Sequence, residues 1–141
     1  MSRKYGFLSD EQFKVLRLRI KQGLSQSEIA KDLGTTRENV TIIEKRARKN
    51  VKLAEDTIQI YRLLLSLAEI KIEVGTQLVD IPGIVVKFGD SIGARLNVNF
   101  TMIYDEIRTK AKDCVKDRTV IKPFTIAIFK DGTIEVTSQS L

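Results

Sequence analysis

Histidine and tryptophan are missing altogether from these 141 residues, cysteine occurs once, and proline only twice. Without histidine, the usual zinc ligand sets and histidine-based acid–base chemistry are excluded. The lone Cys114 permits no internal disulfide, which suits a reducing cytoplasm. Long apolar runs are lacking too. Stretches such as residues 63–65 fall far short of the roughly 20 residues that cross a bilayer, and residues 1–13 lack the apolar run of a signal peptide. What remains, 43% apolar and 30% charged, is the composition of one ordinary globular domain or two small ones.

The formal net charge of +6 is unevenly placed. Residues 1–52 hold 13 Lys/Arg against 6 Asp/Glu, whereas residues 53–141 hold 11 against 12. The excess of positive charge therefore lies in the first third, where it can neutralise phosphates and release condensed counterions. A generally basic protein would spread that charge along its length.

Within that third, residues 22–51 read as two short helices joined by a tight turn, preceded by a supporting helix. Ser9 and Gln12 make a capping box for the first helix, with Asp10 and Glu11 at the favourable end of its dipole. Phe13, Leu16 and Ile20 lie at helical spacing, Phe7 is placed to staple against Phe13, and Gly23 suits the left-handed residue that closes a helix. Ser25 and Glu28 make a second capping box, and Ile29, Ala30 and Leu33 give a narrow apolar stripe. Gly34 ends that helix, and Thr35 or Thr36 caps the next. This order of a short helix, a glycine turn and a longer helix is the helix-turn-helix arrangement.

On a wheel of 100° per residue, Val40, Ile43, Ala47 and Val51 of the third helix fall on one side and should pack on the first two helices. Glu38, Thr41, Ile42, Lys45, Lys49 and, less centrally, Lys52 face outward, with Asn39 and Arg46 on one flank and Arg37 and Arg48 on the other. The chemistry suggests a reading end made of Thr36, Arg37, Glu38, Asn39, Thr41 and Ile42. Arg37 can donate twice to guanine, Glu38 can accept from cytosine N4, Asn39 can pair with adenine, and Ile42 can touch a thymine methyl. Lys45, Arg46, Lys49 and Lys52 suit the DNA backbone, and Ser25 and Gln26 can offer helix N-terminal N–H groups to a phosphate. Plainer readings stand beside these: Lys49 and Lys52 as a solvated face, Glu38 as a helix N-terminal acid, and Ile42 as a packing residue against Phe7 or a partner.

Residues 36–40 (TRENV) and 43–49 (IEKRARK) resemble the promoter-reading helix-turn-helix of bacterial sigma factors and its LuxR-type relatives, over about residues 8–52. That resemblance implies that Arg37, Glu38 and Ile42 stand at base-reading positions. Ile42 occupies a place where Gln is common, so the site read should differ. Over its full length the chain is similar to the archaeal Tfx family of DNA-binding transcriptional regulators, which pair this motif with a small C-terminal domain. The resemblance implies an archaeal transcriptional regulator whose second half is a separate module.

From Lys52 the helical pattern runs on to about Val74. Ala54, Ile58, Tyr61, Leu65, Ala68 and Ile72 are spaced 4, 3, 4, 3, 4, a heptad seam that predicts a homodimer helix, although Ile60, Leu64 and Leu67 widen the stripe towards an intramolecular core. Residues 77–81 form a short strand or connector. Pro82 with Ile81, Ile84, Val85, Phe88 and Ile92 favours a helix, against the strand tendency of Ile84-Val85-Val86. Residues 95–99 alternate like a strand. Asn99 or Thr101 can cap a helix with Ile103, Ile107, Ala111 and Cys114 on one face, and Asp131-Gly132 joins residues 120–130 and 133–137 as a hairpin, with Pro123 at an edge or delaying the strand.

The expected fold class is therefore α+β: an all-α helix-turn-helix domain over residues 1–52, a connecting or dimerisation helix over 53–74, and a small α+β regulatory or dimerisation domain over 75–141. No cofactor is implied. Asp105, Glu106, Asp113 and Asp117 resemble a solvated face more than a metal site, and Cys114 suits a buried hydrophobe better than a thiol switch. The expected partners are double-stranded DNA, a second copy of the chain and a small-molecule effector at the C-terminal domain, with no membrane. Two alternatives are a nucleotide- or DNA-acting enzyme tethered by the motif, and an adaptor whose basic motif binds an acidic protein.

Overall fold

A computed structural model describes residues 4–141; Arg3, counted in the basic balance, lies outside them. The chain divides into two compact units, one ending at Thr57 and the other running from Ile58 to Leu141.

The first unit contains α1 (Asp10–Ile20), α2 (Gln26–Leu33) and the first part of α3 (Arg37–Leu65). Both capping boxes form: the Ser9 hydroxyl accepts from Gln12 N and the Ser25 hydroxyl from Glu28 N, each at 3.1 Å. The Gln12 and Glu28 side chains return to the Ser9 and Ser25 N–H groups. Each box satisfies two N–H groups that a helix start leaves unpaired. Gly34 closes α2 with φ +67, a left-handed conformation that costs little without a Cβ.

Val15, Ile29, Ala30, Val40 and Ile43 form the small core of this unit, flanked by half-buried Leu18, Leu24 and Leu33. Ala47 is also fully buried. Two expected core positions differ. Ile20 is exposed, and Val15 points inward instead. Val51, 38% exposed, has passed beyond the stripe. The ring stacked on Phe13 is that of Tyr5, with centroids 3.8 Å apart.

The second unit contains the end of α3, followed by β1 (Ala68–Ile72), α4 (Ile81–Ser91), α5 (Phe100–Lys110), β2 (Val115–Lys116), β3 (Thr119–Val120), β4 (Phe124–Ile128) and β5 (Ile134–Thr137). β4 is the centre of an antiparallel sheet of order β1-β4-β5, with Ala68 opposite Ile128, Ile72 opposite Phe124 and Thr125 opposite Thr137. Ile70, Ile72, Ile126, Ile128 and Val136 of this sheet join Ile81 and Val85 of α4 and Ile103 and Ile107 of α5 in one core.

The predicted helix to Val74 is corrected here. α3 passes unbroken through Asn50 but stops at Leu65. The Ser66 hydroxyl donates to the Leu63 carbonyl, and Leu67 N–H already donates to Ile128 O at 2.8 Å, which opens the sheet. Ala68 and Ile72, assigned to the heptad seam, are therefore strand residues, and Ile72 is buried in the core. A spacing of four is a helical turn and also two steps of a strand. Buried Ile70 between exposed Glu69 and Lys71 separates the two periods.

A helix over α4 is found, with Pro82 in its first turn and Ile84 and Val86 on its exposed side. Residues 77–81 are a connector with a single bridge from Gln77 to Thr119 and one helical turn, Leu78–Asp80. The strand expected over 95–99 is absent. Leu96 and Val98 do pack on the core, but the segment passes the tip of the β4–β5 hairpin, where Asn97 N–H donates to Gly132 O at 2.8 Å. A Cβ at Gly132 would lie 2.1 Å from Arg95 O, so this crossing requires glycine. The Asp131-Gly132 hairpin forms, and β4 begins directly after Pro123. Asn99 caps α5, accepting from Met102 N at 2.9 Å. Ile103, Ile107, Ala111 and Cys114 are all buried, and burial pushes the Cys114 thiol above its ordinary pKa.

Candidate nucleic-acid interface

The outward side of α3 in the first unit is built on a polar clip. Glu44 is 8% exposed, the one buried charged residue among those described. Its carboxylate meets Arg48 Nε at 2.8 Å, Arg19 Nε at 3.2 Å and Gln26 Nε2 at 3.3 Å. Gln26 Oε1 in turn accepts from Thr41 Oγ1 at 2.8 Å, and Arg19 Nη1 donates to Leu24 O at 3.1 Å. One carboxylate thus ties α1, α2 and α3 together. Burial by itself would raise the Glu44 pKa, but hydrogen bonds from Arg48 and Gln26 and the charges of Arg48 and Arg19 outweigh it and hold the group below the usual carboxylate range.

The clip determines which sequence-predicted residues remain available. Thr36, Arg37, Glu38, Asn39, Thr41, Ile42, Lys45, Arg46, Lys49 and Lys52 are all exposed on α3 or at its start. Several of them already have partners. The Thr36 hydroxyl caps α3 by accepting from Asn39 N at 3.1 Å, and Asn39 Nδ2 donates to Thr35 Oγ1 at 2.9 Å. The Thr41 hydroxyl lies between Gln26 and the Arg37 carbonyl. Lys52 Nζ sits 2.8 Å from Asp56, whose hydrogen bond and charge raise the ammonium pKa.

At the start of α2, the Ser25 N–H is taken by the Glu28 carboxylate at 3.2 Å. The Ser25 donor is therefore not open to a phosphate, and the Gln26 side chain serves the clip instead. Among the described residues, the side chains of Arg37, Glu38, Lys45, Arg46 and Lys49 have no hydrogen-bond or ion-pair partner. Ile42, 49% exposed, stands among them. An apolar β-branched group surrounded by free charges is an arrangement that contact with base edges would use.

Sequence reasoning missed Glu44, Arg19 and the structural role of Gln26. The available signal was an acid one step from the buried Ile43, on the margin of the apolar stripe. Among the described residues no group of three or more His, Cys, Asp or Glu could hold a metal ion, and no helix is long and apolar enough to cross a membrane.

Comparison with known proteins places both units. Residues 7–53 match the family model of sigma-70 region 4, and residues 54–136 match the model described as DNA-binding protein, TFX, C-term. The chain belongs to the TFX family. A relative in Methanocaldococcus jannaschii, named "Putative transcriptional regulatory protein", is 45% identical over 130 residues, 92% of this chain and 94% of its own length. A relative of the same description in Methanococcus vannielii is 38% identical over 92% of this chain and 91% of its own. The DNA-binding protein Tfx of Methanothermobacter marburgensis is 32% identical over 99% of this chain and all of its own length. The TFX family is thus one of DNA-binding proteins with archaeal relatives, and the sigma-like region contains the exposed residues of α3 from Arg37 to Lys52.

Proposed function

We propose that this chain is a sequence-specific transcriptional regulator that reads the major groove of double-stranded DNA with the first half of α3 and acts as a homodimer. The observation that carries the reading is the set of partner-free side chains on α3, held over a clip that fixes α3 against α1 and α2. Arg37 donates to guanine O6 and N7, Glu38 accepts from cytosine N4, and Ile42 lies on a thymine methyl. Thr36, Asn39 and Thr41 shape the reading end, and Asn39 reaches adenine only by releasing Thr35. Lys45, Arg46 and Lys49 follow the phosphates. Lys52 contributes less because Asp56 already neutralises it, and at the start of α2 the Gln26 N–H is the donor left for a phosphate.

The homodimer rests on Ile58, Tyr61 and Leu65, which are 59–60% exposed on the last turns of α3. Exposed apolar rows of this kind mark interaction surfaces. With Ala68 and Ile72 in β1, the seam is too short for an extended coiled coil, so the dimer is a short helix-face contact.

Selection of bound sites from random DNA, followed by footprinting, tests both parts. The expected site is a palindrome with half-sites about 10 base pairs, or a multiple, apart. A single unsymmetric contact zone would remove the dimer, and selection without any preferred sequence would remove the reading.

A further inference from the structure

The second unit carries a half-open pocket of about 860 Å³, within the roughly 300–1,000 Å³ of small-molecule sites. Its apolar lining is offered by half-buried Leu78, Tyr104 and Val115, with buried Ile107 and Ala111 behind them. Its mouth carries Arg108, Lys112 and Arg118 and no carboxylate. That sign is local, because residues 53–141 as a whole hold 11 Lys/Arg against 12 Asp/Glu. Arg108 is shared with Asp105 at 3.3 Å. Lys112 and Arg118 have no ion-pair partner among the described residues.

The turn that presents Arg118 is strained. Asp117 and Arg118 have φ of 50° and 63° between β2 and β3, the left-handed pair of a turn that favours Asn-Gly. Its carbonyl is held by Leu78 N–H at 2.9 Å, so the same connection that walls the pocket fixes the arginine at its mouth. Strain of this sort persists where the surroundings enforce it, and it clusters at ligand sites. Val79, on the adjoining turn, is 74% exposed at the same opening.

We propose that this pocket binds a small amphipathic anion, its apolar body on Leu78, Tyr104 and Val115 and its anionic head at Lys112 and Arg118. An apolar cavity with a few convergent polar groups is the usual form of such a site, and cations without partners are the groups an anion would satisfy. The site lies wholly within residues 77–118, and its occupancy does not depend on whether the first unit reads DNA.

Calorimetric titration of the full-length protein with decanoate, 1-decanol and inorganic phosphate tests this. Decanoate is expected to bind saturably at one site per chain, and to do so more tightly than either the uncharged alcohol or the phosphate. The Lys112→Gln/Arg118→Asn double variant should weaken decanoate by about tenfold or more while leaving the alcohol unchanged. Val79→Glu, on an exposed position, should weaken decanoate independently of whether the double variant folds. Equal binding of decanoate and decanol, phosphate binding as tightly as decanoate, or no saturable binding by any probe would each overturn the proposal.

Discussion

The unit up to Thr57 holds its helices with a core cluster of five buried residues and a buried carboxylate shared by two arginines and a glutamine. The unit from Ile58 onward buries thirteen residues in one core around the sheet, and the ion pairs on it lie at the surface. The first unit has a surface to present, so many of its side chains point outward and its packing stays narrow. Polar groups with specific geometry compensate by setting how α2 and α3 meet. The second unit is organised chiefly by apolar burial around its sheet, and its exposed features include a pocket with basic residues and an apolar helix end.

The sharpest way to break this contrast is to remove a buried side chain from the larger core. Ile126 is fully buried on the central strand. Ile126→Ala should cost about 2–5 kcal/mol, through lost burial and the cavity left behind, measured as a drop in the urea midpoint of the second unit's transition.

Glu44→Gln should cost less, about 1–2 kcal/mol at pH 7, because the arginines it leaves are partly exposed and regain water. A larger loss here than for Ile126→Ala would reverse the comparison. The sign of its pH dependence follows from the depressed pKa of Glu44. Its contribution is full above the unfolded carboxylate value of about 4.3 and is lost as pH falls through the lower folded value. The stability gap between wild type and Glu44→Gln should therefore close in acid, in urea titrations run at neutral pH and at about pH 3.

Smaller still is the separation of two lysines. Lys49→Ala should lower the magnitude of the log-affinity against log-salt slope on DNA by about 0.9. Lys52→Ala should lower it less, because Asp56 already holds that ammonium. Equal changes would mean that the Lys52–Asp56 pair opens on the DNA.

What could be read from the sequence was what is local. Ser9 with Gln12, Ser25 with Glu28 and Gly34 specify helix ends within a few residues, and all three behave as their chemistry predicts. The same holds for Asp131-Gly132 and for Ile103 and Ile107 of α5, whereas Ala111 and Cys114 of the same stripe are buried just beyond the helix end. The failures have one cause, which is that distant segments decided them. Ala68 and Ile72 fit a helix and a strand equally until β4, more than fifty residues later, supplies a ladder. Residues 95–99 have the alternation of a strand but meet the hairpin tip in place of a strand edge. Glu44 looks like any helix acid until Arg19 and Gln26 arrive from two other helices. At the candidate interface, the outward set on α3 followed from helical period. Which of those side chains were already engaged did not.

The central claim is that α3 both reads and anchors, with Arg37 at the reading end. Titration of Arg37→Ala against a selected site and against random DNA at one salt concentration tests it most directly. The account predicts a loss of about 1–3 kcal/mol on the selected site and little change on random DNA. An equal loss on both would make Arg37 a phosphate contact and contradict the reading face.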